Sequence, residues 1–261
     1  MAETIVVTSG KGGVGKTTVA CFLGAKLAER GKRCVVCDLD IGLNNLDTVM
    51  GAESKVVYDL SDAVEGRCRA NQILVESPSA KNLYLISSGH TLEKNFSNDN
   101  LKLLFEGLKS RFDYLIFDCP AGIDSGFHRA VTLSCVALVV VTPTLSSVRD
   151  SDKVLSLLRS YKLKKISIVL NMARGDLMAS GESLGIKEIE NLLKTQVIGV
   201  IPQDDNLLLN KNSYLDDSTY SGEAFKKLAG SVLSGKVRYV NPEKRYQGVW
   251  GSIKRSIKRN I

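Results

Sequence analysis

Residues 10–18 read GKGGVGKTT, and from Gly10 they satisfy the eight-position pattern of glycine, four variable positions, glycine, lysine and a hydroxyl residue. The stretch follows an apolar β-branched run, TIVVTS at 4–9, and opens a helical periodicity, the setting in which this pattern cradles phosphate. Glycine lets backbone N–H groups close around phosphate oxygens, and the helix N-terminus adds its dipole. Gly12, Gly13, Val14 and Gly15 are thus expected to form the cradle, Lys16 to reach the β and γ phosphates, Thr17 to ligate Mg²⁺, and Thr18 to join them in binding the nucleotide. A second lysine, Lys11, stands at the other end of the loop, where the pattern asks for none.

Hydrolysis of a nucleotide also needs carboxylates near the metal and the attacking water. Two apolar runs end in them. CVVCDLD (34–40) closes on Asp38 and Asp40, and YLIFDCP (114–120) carries Asp118 ahead of a Pro-Ala-Gly turn. An apolar strand ending in Asp resembles a Walker B strand. Any one of these aspartates could instead cap the next helix. Three of them converging on the edge that bears the phosphate loop favour a metal and water site.

The elements that must hold these residues follow from the spacing of apolar positions. Besides the runs already quoted, LYLISS (83–88), VALVVVTP (136–143), ISIVLN (166–171) and VIGVIP (197–202) read as short buried strands. Helical periodicities lie at 16–30, 100–111, 148–160, 186–194 and 222–234. Strands buried on both faces and alternating with helices predict an α/β fold with a doubly wound, mainly parallel sheet flanked by helices. Such sheets bind ligands at the carboxyl ends of their strands.

KGGVGKTT, DLDIGLNNLD, DCPAGID, SSVRDSD and GVIPQDD occur in this order. With this spacing the chain resembles the MinD family of septum site-determining ATPases, within the ParA/MinD group of P-loop NTPases. The resemblance covers essentially the whole chain, tail included. It implies an ATP-dependent switch that dimerises, associates with the membrane and places the division site by recruiting a division inhibitor. The implied cofactors are ATP and Mg²⁺, with slow basal turnover stimulated by a partner and by membrane. It further implies that Lys11 reaches across a dimer interface to the partner's nucleotide, that Asp40 orients the hydrolytic water, and that Asp38 and Asp118 belong to the Mg²⁺ shell. Asn171 and the turn from Pro202 to Asp204 match positions around the adenine base. Expected partners are a second copy of the chain, an anionic membrane surface, the division inhibitor MinC, and MinE or a polar scaffold system. The segment from Ser146 to Asp152 resembles the surface those regulators contact. Cys119 departs from the family pattern, which favours a small polar residue, and puts hydrogen bonding of that turn in question. A flagellar-number ATPase of the same group and a ParA-type DNA-partitioning ATPase are the alternatives.

Charge locates a second functional region. The chain of 261 residues has a net charge of +7 and mean hydropathy near zero, the profile of a globular protein. Six of the basic residues lie in 241–261 against the single Glu243, so the tail carries +5 and the remainder about +2. A near-neutral body argues against nonspecific DNA binding and against any sequence-specific nucleic acid partner. On a helical wheel, Trp250, Ile253, Ile257 and Ile261 fall on one narrow stripe that Tyr246 extends, Lys254 and Lys258 flank it, and Arg255 and Arg259 lie opposite. An apolar stripe with basic flanks predicts a C-terminal amphipathic helix lying in a membrane interface. The chain is therefore divided into an ATPase domain at 1–240 and a linker with a membrane-targeting helix at 241–261. Six cysteines without a disulfide spacing, no signal segment and no run long enough to span a bilayer imply folding in the cytosol, and the resemblance further implies the bacterial cytoplasm with reversible attachment to the inner face of the cell membrane.

Overall fold

The structure is a computed structural model that describes residues 2–42, 45–89, 97–204 and 216–247. Eight strands form one sheet: β1 (Glu3–Thr8), β2 (Cys34–Asp38), β3 (Val75–Glu76), β4 (Leu83–Ile86), β5 (Tyr114–Asp118), β6 (Val136–Val141), β7 (Lys165–Ala173) and β8 (Val197–Pro202). Their spatial order is β3-β4-β2-β5-β1-β6-β7-β8. Every pairing is parallel except that of the edge strand β3 with β4, and this two-residue strand is the one that sequence periodicity did not predict.

The helices are α1 (Lys16–Ala28), α2 (Leu46–Met50), α3 (Leu60–Val64), α4 (Asn98–Leu108), α5 (Ser125–Thr132), α6 (Leu145–Leu158), α7 (Gly175–Ala179), α8 (Ile186–Leu193) and α9 (Tyr220–Ser234). Strand side chains alternate between two cores, one on each face of the sheet. Ile5, Val7, Cys34, Val36 and Ile116 pack with α1, α2 and α9. Val6, Val35, Cys37, Leu115 and Phe117 pack with α3, α4, α5, α6 and α8. Period-2 alternation within fully apolar runs is what a sheet covered on both faces requires. It also sends Cys34 and Cys37 to opposite faces, so the CxxC pair is structural; burial raises both thiols well above their ordinary pKa.

The chain begins in the middle of the sheet. Strands β2 to β5 lie on one side of β1, and β6 to β8 lie on the other. The winding direction therefore reverses at β1, and the crevice for a ligand opens at the carboxyl ends of β1 and its neighbours. Among the described residues, no helix is long and apolar enough to cross a membrane.

Candidate functional site: a phosphate loop and paired carboxylates

The loop between β1 and α1 takes the shape its glycines permit. Gly13 and Gly15 have φ of 75° and 89°, in the left-handed region. Gly15 is the N-cap of α1, so Lys16 begins the helix and is buried, whereas Lys11, Gly12 and Gly13 are exposed. A side chain at Gly15 would meet a second obstacle, since a Cβ there would lie 2.4 Å from Asn171 Nδ2. The reason is that Asn171, on β7, donates from that nitrogen to the Val14 carbonyl at 2.8 Å. Asn171 is thus engaged with the loop itself, a role that its expected position beside adenine did not suggest.

The carboxylates arrive by strand register. Asp38 of β2 and Asp118 of β5 are direct neighbours in adjacent parallel strands. Asp118 Oδ2 accepts the Thr17 hydroxyl at 2.5 Å, which ties the first turn of α1 to the end of β5. Asp38 accepts backbone N–H groups from Asp40 at 2.8 Å, from Asn45 at 3.3 Å and from Leu46. Asp40 lies one step outward and is only partly buried, facing the charge of Lys16. Burial raises Asp118 to about 7, with repulsion from Asp38 adding to it and the Thr17 hydroxyl and Lys16 opposing it. Burial likewise raises Asp38 to about 6 against its three backbone hydrogen bonds. Asp40 is raised by burial and drawn down by Lys16.

The donor set fits Mg²⁺. Asp118 Oδ1 is buried without a hydrogen-bond partner, on a residue whose other oxygen is bound to Thr17. An acceptor left bare in a protein interior carries a desolvation cost that a cation removes. No cluster of three His, Cys, Asp or Glu side chains stands ready to chelate a metal among the described residues. That suits an ion held by one or two protein oxygens together with nucleotide phosphates.

Cys119 resolves the departure noted in the sequence. Its side chain is buried in the apolar core, burial pushes the thiol up to about 12, and its backbone N–H continues the ladder to the Val7 carbonyl at 3.1 Å. A core position tolerates sulfur as a small apolar group.

Of the residues expected around the base, Pro202 closes β8 opposite Ala173 of β7, and Asp204 accepts the Ser221 hydroxyl at 2.6 Å. Pro202 and Asp204 line a cavity of about 340 Å³ that also takes in Arg174, Tyr220, Arg245 and Tyr246. Nothing in the local spacing of the last four marks them as cavity residues. Tyr246 belongs to this packed region, in a 3-10 turn at Pro242–Tyr246, which corrects its assignment to the apolar stripe of the tail. Trp250, Ile253, Lys254, Ile257, Lys258 and Ile261, and with them the membrane helix, lie outside the described residues.

Comparison with known proteins decides the family. The CobQ/CobB/MinD/ParA nucleotide-binding domain matches residues 5–214. The septum site-determining protein MinD of Bacillus subtilis is 39% identical, over 97% of each chain. The chain belongs to the MinD family of P-loop ATPases. Among solved structures, MinD in the MinC:MinD complex of Aquifex aeolicus superimposes with a TM-score of 0.84 at 34% identity, covering 91% of this chain and 98% of that one. MinD of Pyrococcus horikoshii, solved with Mg-ADP, gives 0.79 at 25% identity, covering 90% of this chain and 97% of that one. ATP hydrolysis with Mg²⁺ is accordingly the activity of this chain, and division-site placement its role.

Proposed function

We propose that this division-site-placing ATPase works as an ATP-joined dimer that the C-terminal tail holds on the membrane, where it recruits the division inhibitor MinC. The observation that carries the reading is the contrast between the two loop lysines. Lys16 is buried at the start of α1, beside Asp40 and Asp118, and serves the nucleotide of its own chain. Lys11 is exposed on the rim of the same loop and is free to serve the nucleotide of a second copy. A cation supplied across an interface completes charge neutralisation of the triphosphate only when two subunits meet. In that arrangement Thr17, Asp38 and Asp118 hold Mg²⁺, which withdraws charge from the phosphates. Asp40 orients the attacking water, and Asn171 keeps the loop closed through Val14.

MinC is assigned to α6 because its N-terminal turn presents Leu145, Ser146, Arg149 and Asp152 to solvent, and Leu145 is 71% exposed. A structure of the MinC:MinD complex from Aquifex aeolicus supports the pairing.

The tail supplies the membrane step. One helix with three isoleucines and a tryptophan on its stripe binds an interface weakly, and two on one dimer gain avidity of roughly 10² to 10⁴. The test is cosedimentation with vesicles of phosphatidylglycerol and phosphatidylcholine. The intact chain should pellet with ATP far more than with ADP, should pellet less at high salt, and should stay in solution once residues 248–261 are removed or Ile257→Glu is introduced, with melting temperature unchanged. Pelleting of the truncated chain, or equal pelleting with ADP, would remove the membrane step.

A further inference from the structure

The root of the tail is built into the body. The turn Pro242–Tyr246 is capped by Asn241, whose Oδ1 accepts the Glu243 N–H at 2.9 Å. It lies against α7 so closely that a Cβ on Gly175 would sit 2.2 Å from the Pro242 carbonyl oxygen. From this turn Arg245 reaches back to Tyr220, the first residue of α9, and its guanidinium carbon lies 3.7 Å from the ring centroid. At that separation the cation is attracted to the face of the ring.

Arg245 and Tyr220 form one side of the cavity whose other side is Ala173, Pro202 and Asp204. Strand β7 serves both the phosphate loop and the cavity. Asn171 holds Val14 of the loop at 2.8 Å, and Ala173, two residues further along the same strand, is already a cavity wall. A cavity of this size accepts a nucleoside. Its walls pair flat surfaces (Pro202, Tyr220, the Arg245 fork) with a carboxylate at Asp204, the combination that holds an aromatic ring carrying hydrogen-bond donors.

We propose that the root of the C-terminal tail is a wall of the nucleoside pocket, with Arg245 acting as a positioning residue that holds Tyr220 against the base side of the nucleotide. The proposal rests on the reading of Pro202 and Asp204 as base-side residues. Its consequence is linkage: a bound nucleotide favours the docked tail root, and a docked tail root favours nucleotide, by the same factor.

The experiment measures dissociation constants of the full-length chain for Mg·ADP and for inorganic triphosphate in the parent, Arg245→Ala, Tyr220→Phe and Asp204→Ala. Arg245→Ala should weaken Mg·ADP roughly fivefold and leave inorganic triphosphate unchanged, because triphosphate has no base to position. Tyr220→Phe keeps the ring and should bind like the parent. If Asp204→Ala weakens Mg·ADP while Arg245→Ala does not, the base lies where assigned but the tail root is not its wall, and the proposal is overturned alone. If neither substitution affects Mg·ADP, the base-side reading falls and takes the proposal with it. Equal weakening of both ligands by Arg245→Ala would mean that the residue supports the fold as a whole, and would also overturn the proposal.

Discussion

Lowering the pH should make metal binding release protons, because the two carboxylates proposed to hold Mg²⁺ are buried side by side. Asp118 is held at about 7 and Asp38 at about 6, each raised first by burial. At pH 6.5 those values leave about three-quarters of a proton on Asp118 and about a quarter on Asp38, or about one proton per chain. Mg²⁺ binds the ionised oxygens, so that proton must leave. At pH 8 the same values leave only about 0.1 proton to displace. Titration calorimetry with Mg·ADP in buffers of different ionisation enthalpy reads the count directly as the slope of observed heat against buffer enthalpy. The expected slope is near one proton at pH 6.5 and near zero at pH 8.

The same raised values set the stability of the nucleotide-free chain. A carboxyl whose folded pKa exceeds its unfolded value stabilises the fold while protonated, and that stability is lost as pH rises through the folded pKa. Moving Asp118 from 3.8 to about 7 corresponds to on the order of 4 kcal/mol. The nucleotide-free protein should therefore melt lower at pH 8 than at pH 5.5, and Asp118→Asn should remove most of that slope. Heats independent of buffer at pH 6.5, together with a melting temperature flat across this range, would refute the account of the paired carboxylates.

Asp40→Ala should still bind and dimerise with ATP yet hydrolyse it poorly, since the phosphate cradle is untouched while the water loses its orienting group; parental turnover in the presence of lipid and activator would count against that role. Gly15→Ala should lose roughly 2 kcal/mol of stability from the left-handed φ alone, and should weaken nucleotide binding because the new Cβ displaces Asn171 from Val14. Chemical denaturation and Mg·ADP affinity measured together would check it, and a fully stable variant that binds normally would show that the Asn171 contact is dispensable.

The fold was legible because its strands announce themselves. Seven apolar runs rich in β-branched residues became seven of the eight strands, and the five long periodicities became α1, α4, α6, α8 and α9. What the sequence hid was short or cooperative. The strand β3 has two residues and exists only through its antiparallel pairing with β4. Helices α2, α3 and α7 span five residues each, too few for an apolar period to repeat, and α5 buries only Phe127, Ala130 and Val131. In the site, Lys16, Thr17, Asp38 and Asp118 were readable because each ends or begins an element, and strand register then brings them together. Asn171 was assigned by position, but its hold on Val14 joins residues 157 apart in sequence and needs the folded loop to be seen. Arg245 was counted with the basic tail because charge is additive along a sequence, whereas its stacking on Tyr220 depends on where the 3-10 turn sets it down.

The central claim is that ATP joins two copies through Lys11, and sedimentation velocity tests it most directly. The parent should be a monomer with ADP and a dimer with ATP, Lys16→Ala should stay monomeric because it no longer holds nucleotide, and Lys11→Ala should bind ATP and yet remain a monomer. A Lys11→Ala chain that dimerises with ATP as the parent does would contradict the account.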